Sequence, residues 1–347
     1  DLLDRELSVR PSRAIEELYH SVLEAKRTHK LTNRLNIREL SFFGRKQELS
    51  QLEEYLSLVE TGEAVGPFLV MGQSGTGKKR LLRQLVLMSN RSFNFIKVEG
   101  KATSQRYEGS AWNDLKQALE KMGDEMGIPF LEGEDDLISV WNQLQGLSKE
   151  KPLLILLENA QWIDAVSLEK VKQLEERRSQ EKWQLIFTAE EPLSASFVNF
   201  LGSLKVEKRL SQLELTNFDP SESRALLKGE LGAIEPAVIE QMVEWSEGSP
   251  FFLSSYIEEW KENENLEPLP DIIQAYLSQE LGDMSSEEEA LLHYLSCFHK
   301  PISLSILAEL TATELPVLTE LIEPLSERAI VSIVEEGEAL MVQFCKQ

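Results

Sequence analysis

The chain has 347 residues, long enough for two or three domains with proper cores, and its 42% hydrophobic and 27% charged residues describe a folded rather than a disordered protein. Its 59 acidic residues against 36 basic ones give a net charge of −23, which opposes a direct grip on the phosphate backbone of DNA or RNA. No apolar run reaches the roughly 20 residues of a membrane span and no signal-peptide pattern opens the chain, so a cytoplasmic protein without a membrane partner is expected.

The two cysteines, Cys297 and Cys345, and the four histidines show no metal-ligand spacing, and no metal site is expected from them. Residues 1–36 predict a helix through Glu16–Leu23, and Lys26–Arg38 reads as a polar, basic linker. Phe42-Phe43-Gly44-Arg45 opens an amphipathic helix with Leu49, Leu52, Leu56 and Val59 at helical spacing. The apolar run Phe68-Leu69-Val70-Met71 is the first buried strand, and Gly72-Gln73-Ser74-Gly75-Thr76-Gly77-Lys78-Lys79 follows it directly.

Glycines at this spacing let a strand turn sharply into a helix with several N–H groups aimed into one small concavity. That concavity suits a di- or triphosphate, because the helix N-terminus adds partial positive charge and Lys78 can reach the outer phosphates. Lys78, Lys79, Arg80 and the loop's backbone dipoles make a local positive island in an acidic chain. The loop matches the Walker A pattern except at its end, where Lys79 replaces the Ser or Thr hydroxyl that holds Mg²⁺.

Further strands are predicted at 93–98, 152–157, 183–188 and 210–215, and helices at 81–88, 112–122 and 136–147. Pro152-Leu153-Leu154-Ile155-Leu156-Leu157 is apolar at every position, as a strand buried on both faces should be. Strands alternating with helices, the first ending in a phosphate loop, indicate an α/β fold: a doubly wound parallel sheet of P-loop NTPase type.

From Asp219 the strands stop, and three helices predict a helical subdomain, with Gly248-Ser249-Pro250 between the last two. After a linker at 263–270, Ser286-x-x-Glu289 reads as a capping box ahead of Leu291, Leu292 and Leu295. Two more helices and a hairpin around Glu335-Glu336-Gly337-Glu338 complete the order of a winged-helix domain. Its acidic helix and wing tip argue for packing or signalling rather than DNA reading. The expected domains are 1–36, 37–218, 219–268 and 269–347.

Hydrolysis needs a hydroxyl and an acid for Mg²⁺, a carboxylate to accept a proton from water, and positive charge at the γ-phosphate. The buried run ends in Leu157-Glu158-Asn159-Ala160-Gln161-Trp162-Ile163-Asp164, with Ser167 beyond. This segment resembles the Walker B region of STAND-class signalling ATPases, the AAA-like switches of LuxR-type and related large bacterial transcription regulators. Gly44-Arg45 with Glu48, Leu215–Pro220 and Gly248-Ser249-Pro250-Phe251-Phe252 fall in the same register, and the resemblance covers about residues 42 to 347. Asp4–Ser12 with Leu18-Tyr19 is similar to the tail of the helical activator domain in such regulators, which implies that the chain is an internal piece of a longer polypeptide.

The resemblance implies ATP or ADP as ligand, adenine as base, and Phe43, Gly44, Arg45, Gly72, Gly75, Thr76, Gly77, Lys78, Lys79, Arg80, Glu190 and Pro250 as residues bordering it. It assigns Glu158 to the Mg²⁺-holding acid and Asn159 to the proton acceptor. An amide cannot fill the second role, and losing a general base costs about 10²–10⁴ in rate. Glu190 stands where the family often has an Arg near the γ-phosphate, and Phe344-Cys345-Lys346 replaces the family's Phe-x-His contact to ADP.

An ammonium beside Mg²⁺ costs roughly 4 kcal/mol per unit of metal charge at 4 Å with an effective dielectric near 20. Lys79 therefore either neutralises phosphate itself, giving binding without Mg²⁺, or points to solvent. Three functions stay open: a nucleotide-binding regulatory switch with weak or absent hydrolysis, a pseudo-NTPase scaffold acting through protein contacts alone, and an ATPase using unusual residues. The expected partners are the other domains of the longer polypeptide, with assembly between copies left open.

Overall fold

The computed structural model describes residues 42–344 apart from 64, 104, 106, 132, 134, 179–180, 207–209, 267–268, 282–283, 299, 328–329 and 337–338. The expectations for residues 1–36 and for Cys345 and Lys346 lie outside the described residues. The chain divides into two compact units between Glu264 and Asn265.

The first unit opens with α1 (Lys46–Thr61), whose Leu52, Tyr55, Leu56 and Val59 are buried at helical spacing. There follow β1 (Phe68–Gly72), α2 (Lys78–Ser89), β2 (Asn94–Glu99), α3 (Ser110–Met126), α4 (Asp136–Leu147) and β3 (Leu153–Glu158). A short 3₁₀ turn (Ala160–Trp162) leads to α5 (Ala165–Arg177), β4 (Trp183–Ala189), α6 (Ala195–Val206) and β5 (Ser211–Leu215). The five strands form one parallel sheet in the order β2-β3-β4-β1-β5.

Every residue of β3 is buried, because helices cover both faces of the sheet. Period two splits the strand between two cores. Leu154 and Leu156 join Val70, Ile186 and Leu213 under α1 and α2, whereas Leu153, Ile155 and Leu157 join Leu69, Ile96 and Phe187 under α3 to α6. Burying each such side chain contributes about 1.5–3 kcal/mol.

β4 lies between β1 and β3, so the C-terminal ends of the three central strands, Gly72, Glu158 and Ala189, share one edge. In open α/β sheets that edge is where ligands bind.

The unit closes with α7 (Pro220–Leu231), α8 (Pro236–Ser246) and α9 (Pro250–Asn263), packed on one another. Asp219 caps α7 in a full capping box with Glu222, and Pro220 stands in its first turn.

The second unit contains α10 (Asp271–Leu281), α11 (Ser286–Ser296), β6 (Ile302–Ser303), α12 (Leu304–Thr311), α13 (Leu315–Glu327), β7 (Val331–Glu336) and β8 (Ala339–Phe344). Its strands make an antiparallel sheet in the order β6-β8-β7 over a core that includes Leu291, Leu307, Leu318, Ile322 and Val342. The capping box of α11 is Ser285 with Glu288, one residue before the expected pair. Both serines have a Glu three residues on; Ser285 is the extended one whose hydroxyl faces the Glu288 N–H.

Three helices, α5, α6 and α10, have no counterpart in the sequence reading. Among the described residues, no helix is long and apolar enough to cross a membrane.

Candidate functional site

The phosphate loop leaves β1 at Gly72 and enters α2 at Lys78. Gly75 (φ 78°) and Gly77 (φ 95°) adopt left-handed backbone that side chains rarely enter, so the sharp turn depends on glycine at both. Thr76 Oγ1 donates to the Gln73 carbonyl at 2.8 Å, which braces the turn. The first hydrogen bond of α2 runs from Leu81 N to Gly77 O. The N-terminal end of α2 thus carries the partial positive charge of the helix dipole toward an anion seated on the loop.

Lys78 is buried, and its Nζ donates to Gly72 O at 2.7 Å, Gln73 O at 2.8 Å and Glu190 Oε2 at 3.0 Å. Burial lowers its pKa, partly offset by the hydrogen bond and charge of Glu190. Glu190 follows the last residue of β4, and the sheet order brings it between the loop and the end of β3. The Glu190 carboxylate therefore lies beside Lys78 as an anion of the protein's own, and an incoming phosphate has to compete with it. Glu190→Gln should raise affinity for ADP roughly ten-fold, since it removes that competitor and a like charge beside the phosphate. Calorimetric titration of the variant checks this, and unchanged affinity would contradict it.

Beyond the loop lie the groups a metal would need. Lys79, on the first turn of α2, is ion-paired with Glu99 at the end of β2. Its Nζ lies 4.0 Å from Glu158 Oε2, and Lys97 Nζ lies 2.8 Å from the same oxygen. Burial raises the pKa of Glu99, but Lys79, Lys97 and Lys101 outweigh that and hold it below its ordinary value. Asn159, in a left-handed turn, donates its side-chain N–H to Glu99 Oε1 at 3.3 Å.

In the P-loop scheme Mg²⁺ is held by the hydroxyl after the loop lysine and a strand-end acid. Here the hydroxyl is replaced by an ammonium, and the buried acid Glu158 already has two ammonium groups around it. The residues do not fit a divalent cation. Among the described residues, no group of three or more His, Cys, Asp and Glu side chains is arranged to hold a metal.

On the other side of the loop a cavity of about 40 Å³ is lined by Phe42, Phe43, Arg45, Thr76, Gly77, Arg80, Phe218, Leu226, Pro250 and Ser254. Its mostly apolar walls suit the face of a purine, although typical ligand pockets measure about 300–1,000 Å³. Arg45 does not point a free charge at phosphate. Its guanidinium donates to Thr76 O and Thr216 O, pairs with Glu48 and lies 4.6 Å from the Phe218 ring centroid.

The N-terminus of α9 packs directly on the loop. Phe251 N donates to Gly75 O at 3.2 Å, and a Cβ on Gly75 would lie 3.1 Å from both Phe251 Cβ and Ser249 Oγ. Gly44 borders the same corner, where a Cβ would meet the Phe218 ring at 3.1 Å.

Asp164 is a structural centre whose partners the sequence does not reveal. Buried at the N-cap of α5, it accepts from Ser167 N and Oγ, and from Gly109 N and Ala111 N at the start of α3. Ser167 Oγ in turn accepts from Trp112 N at 2.9 Å. Burial raises the Asp164 pKa, but these hydrogen bonds outweigh it and hold the carboxyl below its ordinary value. Gln161, also buried, accepts the Glu190 N–H at 3.4 Å, so the turn after β3 braces the residue that holds Lys78. The structure thus brings Lys78, Lys79, Glu158, Asn159 and Glu190 to one edge, and places Phe43, Arg45, Arg80 and Pro250 around the adjoining cavity.

Comparison with known proteins agrees with this geometry. Residues 41–188 match the family model of an AAA ATPase domain. Among solved structures, the chain is similar to the ORC2 protein of Aeropyrum pernix in its ADPNP-ADP complexes, at 16% identity and a TM-score of 0.56, over 90% of this chain and 93% of that one. The ADP form of the same protein matches at 14% identity and a TM-score of 0.51, over 89% and 93%. A Pyrococcus horikoshii Signal Transduction ATPase with Numerous Domains, which has a tetratricopeptide repeat sensor, matches at 16% identity and a TM-score of 0.41, over 87% of this chain and 41% of that one. No curated protein matches the sequence. At these identities the structural likeness is one of fold: an α/β, P-loop NTPase-like fold with a parallel five-stranded sheet.

Proposed function

We propose that this chain is a nucleotide-binding regulatory switch, taking ATP or ADP with weak or absent hydrolysis, within a bacterial transcription regulator. The observation that carries the nucleotide reading is the Gly72–Lys78 loop. It joins a central parallel strand to a helix N-terminus, with a lysine at its base and an apolar cavity at its side. The AAA ATPase match and the ADP and ADPNP of the Aeropyrum protein support the same reading.

Weak hydrolysis is argued from the strand end. Asn159 cannot accept a proton at neutral pH, and Glu158 is engaged by Lys97. In this reading the second unit is a winged-helix domain, supported by its helix order and three-stranded sheet. Its partners are other domains of a longer polypeptide.

A second reading, a scaffold that binds no nucleotide, draws on two observations. Lys78 is already paired with Glu190, and the cavity is only about 40 Å³. Nucleotide entry then requires the α9 end to draw back from the loop.

Titration of the chain with fluorescent ADP and ATP analogues, alongside a phosphate-release assay, separates the readings. The switch predicts saturable binding and release near background. Absence of binding favours the scaffold, and brisk phosphate release contradicts both.

A further inference from the structure

The residues that fail to assemble a metal seat form a different device. Lys79 stands one position beyond Lys78 on the first turn of α2, half exposed and steered by Glu99. Glu158 does not depend on it, because Lys97 meets the same carboxylate oxygen at 2.8 Å from β2. Lys79 can therefore turn toward a bound phosphate without stranding a buried negative charge. Two adjacent ammonium groups and a helix N-terminus then surround the phosphate chain, where the usual arrangement has one ammonium and a divalent cation.

We propose that this site takes its nucleoside di- or triphosphate without a divalent metal, the Lys79 ammonium supplying the neutralising charge in the metal's place. The inference deepens the nucleotide reading and rests on it. It also explains why an acid-rich strand end is laced with Lys79 and Lys97. A nucleotide carrying Mg²⁺ would bring positive charge against both, so the metal complex is the poorer ligand.

The test is a titration of the whole chain with a fluorescent ADP analogue, once in EDTA and once in excess Mg²⁺. The wild type should bind at least as tightly in EDTA as in Mg²⁺. Lys79→Gln should weaken binding in EDTA by about ten-fold. A second readout is the electron paramagnetic resonance of Mn²⁺, whose free signal should not fall when protein is added to nucleotide and Mn²⁺.

Binding that vanishes in EDTA and returns with Mg²⁺ overturns the proposal and leaves the nucleotide reading standing. Unchanged affinity of Lys79→Gln in EDTA overturns the role of Lys79. No binding under either condition overturns the nucleotide reading, and this inference with it.

Discussion

Lys78→Ala is expected to lower nucleotide affinity by at least about 100-fold while leaving the fold in place. Truncating one partner of a buried, hydrogen-bonded charge pair costs about 2–5 kcal/mol, and roughly 1.4 kcal/mol is ten-fold in affinity. The same ammonium has three partners in the free chain, Gly72 O, Gln73 O and Glu190, so its removal is not neutral to the loop. Two facts limit the damage to stability. The carbonyls lie at the sheet's open edge, and Glu190 is partly exposed, so water can replace the lysine. Its burial, moreover, already disfavours the charged form. The thermal midpoint should therefore move by only a few degrees. A variant that keeps wild-type affinity would show that the ligand does not sit on this loop. A variant that unfolds would show that Lys78 is a structural group.

The second large effect is on stability. Asp164→Ala is expected to destabilise the first unit by about 3–5 kcal/mol, measured as a shift in the denaturant midpoint. The carboxylate is the shared acceptor for Gly109 N, Ala111 N, Ser167 N and Ser167 Oγ. Deleting it leaves donors in a buried place, each worth about 1–3 kcal/mol when unsatisfied.

The effect has a pH signature. The folded-state pKa lies below the ordinary carboxylate value, so the native chain holds this group ionised more firmly than the unfolded chain does. Its contribution is fully present above the unfolded value near 4 and is lost as pH falls through the folded value. The gap between wild type and Asp164→Ala should therefore shrink in acid. A shift under about 1 kcal/mol at neutral pH would contradict the role assigned here.

Local signals in the sequence reached most of the first unit. The all-apolar run at 153–157 announced a strand covered on both faces, and the phosphate loop announced itself through glycine spacing. The change from strands to helices expected at Asp219 falls where the structure has the Asp219–Glu222 capping box of α7. What was hidden falls into two kinds.

Helix α6 buries Phe197, Phe200, Leu201 and Leu204 at helical spacing, but the other apolar residues around it, exposed Val198 among them, blur the stripe. The capping box of α11 slipped by one because Ser285 and Ser286 each precede a Glu by three. Those are failures of local contrast.

The site's wiring is of the other kind. Glu190 meets Lys78 across 112 positions, and Lys79 meets Glu99 across 20, only because β4 inserts between β1 and β3 while β2 forms the sheet's far edge. Strand order is not written in chain order. From sequence, Glu190 reads as a misplaced charge near the γ-phosphate; in the fold it is the partner of the loop lysine. The Asp164 motif likewise looks like part of a catalytic stretch, whereas its hydrogen bonds make it the pin between α3 and α5.

Amide resonances of the chain, followed while ADP is added in EDTA, address the claim that Gly72–Lys78 is a working nucleotide seat. The N–H signals of Gly75, Gly77 and Lys78 should shift saturably and together, and Lys78→Ala should abolish the response. Signals that stay fixed at these three residues while ADP reaches saturating concentration would contradict it.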